Sequence, residues 1–171
     1  PVELSNKLRK NTRKRSSYAS NAIEGNPLSY EQAENAIESK NRHFLKPEQE
    51  VRNYYMTLEF LSKELKKKTP FSINLLLKTQ KQIVLGESKD KIGLRGQMPP
   101  GVLFAVYDSK TGKPEYIPPE YSDVLKLLEE LVDYINNSDD HPIIKAAIVH
   151  YELVTIHPFE DGNGRTARLM S

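Results

Sequence analysis

The stretch His157-Pro158-Phe159-Glu160-Asp161-Gly162-Asn163-Gly164-Arg165-Thr166-Ala167-Arg168 decides the reading of this chain. It lies between an apolar helical run ending at Ile156 and a second helix expected to start near Asn163 or Gly164. Gly162 and Gly164 let a ligand approach the backbone closely, with no Cβ in the way. The amides at the start of the following helix, with its dipole, make an anion nest suited to phosphates. Arg165 and Arg168 are three apart, so the spacing predicts that they share a side and grip phosphate oxygens together. Asp161 is a hard oxygen ligand where a Mg²⁺ bridging two phosphates would sit. His157 is the group here whose ordinary pKa suits proton abstraction near neutral pH. Phe159 is expected to plug the core. A metal, a polyphosphate and a base aimed at a hydroxyl imply phosphoryl or nucleotidyl transfer. The Lys and Ser/Thr of a Walker motif are absent, and so is the strand-turn-helix context of a dinucleotide fold.

Outward from this loop the chain reads as helices broken once by a strand-rich passage. A helix is expected from Leu4 to Glu24, stopped by Gly25-Asn26-Pro27. A second begins at Ser29, with Gln32 at capping-box spacing. A third opens with Pro47 and carries Val51, Tyr55, Leu58, Leu61 and Leu65 at helical intervals, and a fourth follows Ser72. Val102-Leu103-Phe104-Ala105-Val106-Tyr107 reads as a strand, 108–113 as a turn and 115–117 as the return, a hairpin before Pro118-Pro119. Its open edge suits two readings equally: a cover over the core, or a ledge for an added strand of another protein. Val124, Leu127, Leu128, Leu131, Val132 and Ile135 mark an amphipathic helix. The run from Pro142 to Ile156 is apolar over most of its circumference and is expected to be the buried central helix. Ser171 ends the chain where a helix should still be running, the pattern of a fragment or a removed tail.

The composition bounds the function. A chain of 171 residues with 37% hydrophobic and 28% charged residues is the size and balance of one globular domain. With no cysteine it has no disulfide, thiolate metal site or cysteine nucleophile. It lacks a span-length apolar run and a signal-peptide pattern, which fits a cytoplasmic protein with no membrane partner. A net charge of +2 is too small to argue for nucleic acid. The clusters Lys7 to Arg15 and Lys63 to Lys68 are expected to be solvated helix faces. His43 and His141 sit in polar surroundings and should be exposed; His150, two turns before His157, suits a core histidine better than a metal ligand.

His157-Pro158-Phe159-x-Asp161-Gly162-Asn163-Gly164-Arg165-x-x-Arg168 resembles the complete Fic signature. Nine fixed residues match by chance on the order of 10⁻¹² to 10⁻¹¹ per starting position. The resemblance covers Gly93 to Arg168 well and the earlier helices in kind. It implies a mainly α, Fic-type helical bundle with one β-hairpin flap beside the active-site loop, with ATP and Mg²⁺ as cofactors. In that family AMP passes to a Ser, Thr or Tyr hydroxyl of a protein. Carried over, His157 is the general base and Asp161 the Mg²⁺ ligand. Gly162, Asn163 and Gly164 hold the α- and β-phosphates, Arg165 and Arg168 complete the grip, and Arg168 orders the γ-phosphate. Val102, Leu103, Phe104, Ala105, Val106 and Tyr107 become the flap that docks a target protein; self-modification and an oligomer remain open.

Ser20-Asn21-Ala22-Ile23-Glu24-Gly25-Asn26 is similar to the family's inhibitory motif, with Ser20, Glu24 and Gly25 in its fixed places. The resemblance divides the chain into an N-terminal helical region, 1–46, with the inhibitory helix, and a catalytic core, 47–171, truncated at its C-terminus. It implies an autoinhibited protein adenylyltransferase. Two alternatives stand beside it: a de-AMPylating phosphodiesterase using Glu24, and a nucleotide-binding module without turnover.

Overall fold

The computed structural model describes residues 2–108 and 111–171; Ser109 and Lys110 of the expected turn lie outside the described residues. Its elements are α1 (Val2–Ile23), α2 (Tyr30–Glu38), α3 (Lys46–Lys66), α4 (Ile73–Ile83), a 3₁₀ turn (Lys89–Lys91), β1 (Val106–Tyr107), β2 (Pro114–Tyr116), α5 (Tyr121–Asn137), α6 (Pro142–Ile156) and α7 (Asn163–Met170). Local chemistry sets the starts. The Ser29 hydroxyl accepts from the Gln32 amide at 3.2 Å, and the Gln32 side chain accepts from the Ser29 amide at 2.8 Å. Pro47 sits in the first turn of α3, and Ser72 caps α4 through the Leu75 amide. The chain leaves α1 through Gly25, whose φ of +84° is open to glycine at little cost.

Two layers follow from the apolar faces. The core joins α4, α5, α6 and α7 through Leu76, Val124, Leu128, Leu131, Val149, Leu153, Ile156 and Ala167, and Phe159 closes it from the loop before α7. On the other side α1 and α2 pack against α3. Arg52 of α3 donates to the carbonyls of Ala36 (2.6 Å), Ile37 and Ser39, satisfying the end of α2, and stacks on Phe44. Helix α1 packs along α3, where Arg13 donates to Ser62, and also touches α7, which brings Ser20 and Glu24 to Arg168.

Three expectations change here. Helix α6 is not wrapped by the fold: Ile143 is 73% exposed and Tyr151 66%, while Val149, Leu153 and Ile156 face inward. A uniformly apolar helix has no period to say which side is covered. The strand expected over Val102–Tyr107 is paired at Val106 and Tyr107 alone; Val102 to Ala105 run alongside without a partner strand among the described residues. A shift in register between Val106 and Tyr107 breaks the ladder, pairing Val106 with Tyr116 and Tyr107 with Pro114. Lys14 is no solvated cation: it is 5% exposed and donates to Glu34 at 2.7 Å and Glu38 at 2.6 Å, pinning α1 to α2. No helix among the described residues is long and apolar enough to cross a membrane.

Candidate active site

The loop from His157 to Gly162 is held by backbone chemistry. His157 caps α6 in the left-handed region at φ 48°, an uncommon setting for a residue with a Cβ. Its Nδ1 lies 3.3 Å from the Val154 carbonyl, which only accepts, so Nδ1 carries the proton and Nε2 keeps the basic lone pair. Burial holds the imidazole below its ordinary pKa, with the Arg95 charge adding to the fall; the Val154 bond and Glu24 oppose it. His157 is therefore neutral, and a proton acceptor, to lower pH than a solvated histidine.

Gly162 opens α7 at φ +82°, and a Cβ there would meet Val84 at 3.2 Å. The first intrahelical bond runs from the Thr166 amide to the Gly162 carbonyl at 2.8 Å. The amides of Asn163, Gly164 and Arg165 thus have no intrahelical acceptor and form the positive end of α7. The Asn163 side chain, expected to grip phosphate, turns inward instead. It accepts from the Phe159 amide at 3.0 Å and donates to the Phe159 carbonyl at 2.7 Å, which clasps the loop.

The two arginines also part company. Arg165 is 7% exposed, and its Nη2 donates to Asp161 Oδ1 at 2.9 Å. Arg168 turns to α1: its Nε donates to the Ser20 hydroxyl at 2.8 Å, and its Nη2 to the Ser20 carbonyl at 3.0 Å and to Glu24 Oε1 at 2.6 Å. A three-residue step separates side chains by about 60° around the axis, and here each finds its own carboxylate. Ser20 and Glu24, 144 or more residues upstream, thus meet Arg168 in space. A Cβ on Gly164 would collide with Glu24 Oε1 and come within 3.0 Å of Arg168. The buried Tyr54 of α3 faces the same spot; burial raises its phenol pKa while Ser20 and Arg168 pull against that rise. Gly25 stays outside the cluster, shaping the turn after Glu24.

Asp161 is the carboxylate that the signature assigns to a divalent cation. Its Oδ1 faces Arg165, and its Oδ2 lies 3.3 Å from Lys91 Nζ. Among the described residues no three His, Cys, Asp or Glu side chains gather into a metal cage. One carboxylate beside an amide nest fits Mg²⁺, which binds through one or two carboxylates plus substrate phosphates and water. His150 is half-buried, and no such cage forms around it either.

A model of the Fic/DOC family matches residues 70–171. The chain belongs to the Fic/DOC family. The protein adenylyltransferase fic-1 of Caenorhabditis briggsae is 36% identical over 161 residues, covering 90% of this chain and 30% of that relative. A Fic family protein from Desulfovibrio desulfuricans superimposes with a TM-score of 0.80 at 29% identity, covering 99% of this chain and 50% of its own. A Fic domain containing signaling protein from Bacteroides thetaiotaomicron gives 0.82 at 25% identity, with 99% and 64% covered. The chain therefore spans about a third of the length of the curated relatives it matches (30%). The mainly α bundle with one hairpin is the Fic fold expected from the signature.

Two residues of this Fic domain escaped the sequence reading. Lys91 donates to Glu87 at 3.1 Å as well as reaching Asp161, and Gln80 ties the Lys91 and Asp161 carbonyls together. Glu87 and Asp161 hold the Lys91 pKa above its ordinary value despite some desolvation, so it is a fixed cation beside the loop. Arg95 is 1% exposed, and its amide donates to the Pro158 carbonyl at 2.8 Å, its Nε to the His157 carbonyl at 2.9 Å and its Nη2 to the Pro119 carbonyl. Neither has a local motif.

Proposed function

We propose that this chain is the core of a protein adenylyltransferase, passing AMP from ATP to a Ser, Thr or Tyr hydroxyl of a protein, and that Glu24 restrains it in cis. The observation that carries the reading is the Glu24–Arg168 bond of 2.6 Å at the mouth of the α7 amide nest. The named relatives, which are protein adenylyltransferases, support the reaction class.

In this reading the triphosphate lies along the N-terminus of α7, held by the amides of Asn163, Gly164 and Arg165, with Arg168 on the γ-phosphate. The Asn163 side chain shapes the loop rather than touching phosphate, and Arg165 steadies Asp161. Mg²⁺, held by Asp161, would neutralise charge on the phosphates. His157 Nε2 takes the proton of the target hydroxyl as its oxygen bonds to the α-phosphorus, and the bond to pyrophosphate breaks. The unpaired edge at Val102 to Ala105 is the ledge for the target segment. Beneath it lies a cleft of about 390 Å³ lined by Arg95, Pro99, Phe104, Ile117, Pro119 and Tyr121, space for one of the target's side chains. Residues 1–46 act as the regulatory segment on 47–171.

At rest, Glu24 occupies the guanidinium that the γ-phosphate needs, so nucleotide binds out of line. Incubation with labelled ATP and Mg²⁺ tests this: Glu24→Gly should label protein faster than the wild type, and equal labelling would overturn the restraint. Release of AMP from a pre-modified target, requiring Glu24, would instead favour the phosphodiesterase.

A further inference from the structure

Arg95 has a chemistry that packing does not explain. A guanidinium stays charged at any ordinary pH, and burying it is unfavourable unless a carboxylate and hydrogen bonds compensate. Arg95 makes no ion pair within 4.0 Å among the described residues; Glu160 and Glu120 act on it from farther away, and burial lowers its pKa. An apolar side chain would fill the same volume at less cost. What Arg95 provides is placement of hydrogen-bond donors.

Those donors bridge two parts of the site. One goes to the carbonyl of His157, which sits at the end of α6 in the left-handed region and has no further helix to bond. Another goes to Pro119, which follows the return strand of the hairpin. The guanidinium lies 4.6 Å from the centre of the Phe104 ring, and that ring lies 6.0 Å from the His157 imidazole. The adjoining Leu94 bridges to Phe159, and the Arg95 amide meets Pro158. Phe104, in the unpaired stretch ahead of β1, is therefore a wedge between the base and the arginine. A segment laid along Val102 to Ala105 would press on that wedge.

We propose that Arg95 is a positioning residue that couples occupancy of the hairpin edge to the orientation of His157, through Phe104 and the carbonyls of His157 and Pro119. It holds the left-handed turn that carries the imidazole, and it transmits the seating of the target's strand to that turn. The inference rests on the transferase reading.

The test uses the Glu24→Gly chain as parent, with Arg95→Gln and Arg95→Lys added separately. Phosphate is gripped from α7, so ATP affinity measured by calorimetry should stay within about twofold, while kcat for AMP transfer by Arg95→Gln falls about tenfold or more. Arg95→Lys, which keeps the charge and one donor, should recover part of that loss. An NMR titration of the His157 ring needs no turnover and reads the same contact. The charges facing the ring are Arg95 and Glu24, and with Glu24 removed Arg95→Gln should raise the His157 pKa while Arg95→Lys leaves it. If Arg95→Gln does not fold, Phe104→Leu keeps the apolar volume and removes the wedge; kcat should fall and Phe104→Tyr should restore it. Rates per folded molecule within about twofold of the parent for Arg95→Gln, or for Phe104→Leu where Arg95→Gln does not fold, would overturn the inference. Absence of transfer in the parent itself, with His157 still shifted by Arg95→Gln, would sink the transferase reading and leave the positioning contact standing.

Discussion

Replacing Glu24 with glycine removes its bond to Arg168. Glu24 Oε1 accepts from Arg168 Nη2 at 2.6 Å, while Ser20 continues to hold Arg168 through its hydroxyl and carbonyl. The guanidinium therefore stays in place when the carboxylate leaves. Glu24 also lies one residue beyond the end of α1, so the glycine falls outside the helix and its backbone cost is small. A charge-assisted hydrogen bond contributes about 1.5–3 kcal/mol, and a solvated ion pair about 0.2–1 kcal/mol. With side-chain exposures of 41% for Glu24 and 22% for Arg168, this pair falls between them. A value of about 1–2 kcal/mol corresponds to an increase of about 5- to 30-fold in kcat/KM for AMP transfer. The assay is incorporation of AMP from labelled ATP at subsaturating nucleotide, wild type against Glu24→Gly. Salt screens a partly exposed pair, so the ratio of the two rates should shrink as ionic strength rises. A ratio of one at low salt would refute the reasoning, because the pair would then not compete with nucleotide.

Other expectations follow from the same contacts. Gly164→Ala should lower the melting temperature of the wild type, because its Cβ meets Glu24, and cost much less in Glu24→Gly, where the Arg168 guanidinium at 3.0 Å is the neighbour left to yield and helix preference favours alanine; the double-mutant cycle should show coupling of about 1 kcal/mol or more. Burial keeps His157 neutral below the ordinary histidine pKa of about 6.5, so the acid limb of the transfer rate should lie below that value. Glu24 raises the His157 pKa, so Glu24→Gly should move that limb lower still, read from kcat/KM against pH.

Much of the fold was legible wherever a local rule carries it. Ser29 with Gln32, Pro47 and Ser72 announce helix starts because capping involves residues three apart. The meeting of Glu24 with Arg168 across the whole chain was legible through the paired motifs, not through any local pattern, whereas the Ser20 bonds to Arg168 were not. Periodicity could not place α6, whose apolar residues leave every face equivalent. Spacing sets the direction of Arg165 and Arg168 from the axis, whereas the carboxylates of Asp161 and Glu24 set where those long side chains end. Lys14 was invisible for a related reason: a lysine in a basic run looks solvated until two glutamates of α2 close over it. Arg95 was hidden most deeply, since its Nε partner lies 62 residues away and is a backbone carbonyl, a group every residue has.

The most direct measurement of the central claim is intact-mass detection of an AMP adduct after incubation with ATP and Mg²⁺, with Glu24→Gly as the released form. The account predicts adduct, on the chain or on a protein added to it, in Glu24→Gly, and none when His157→Ala is combined with it. Equal adduct in the double variant would contradict the assignment of His157 Nε2 as the base.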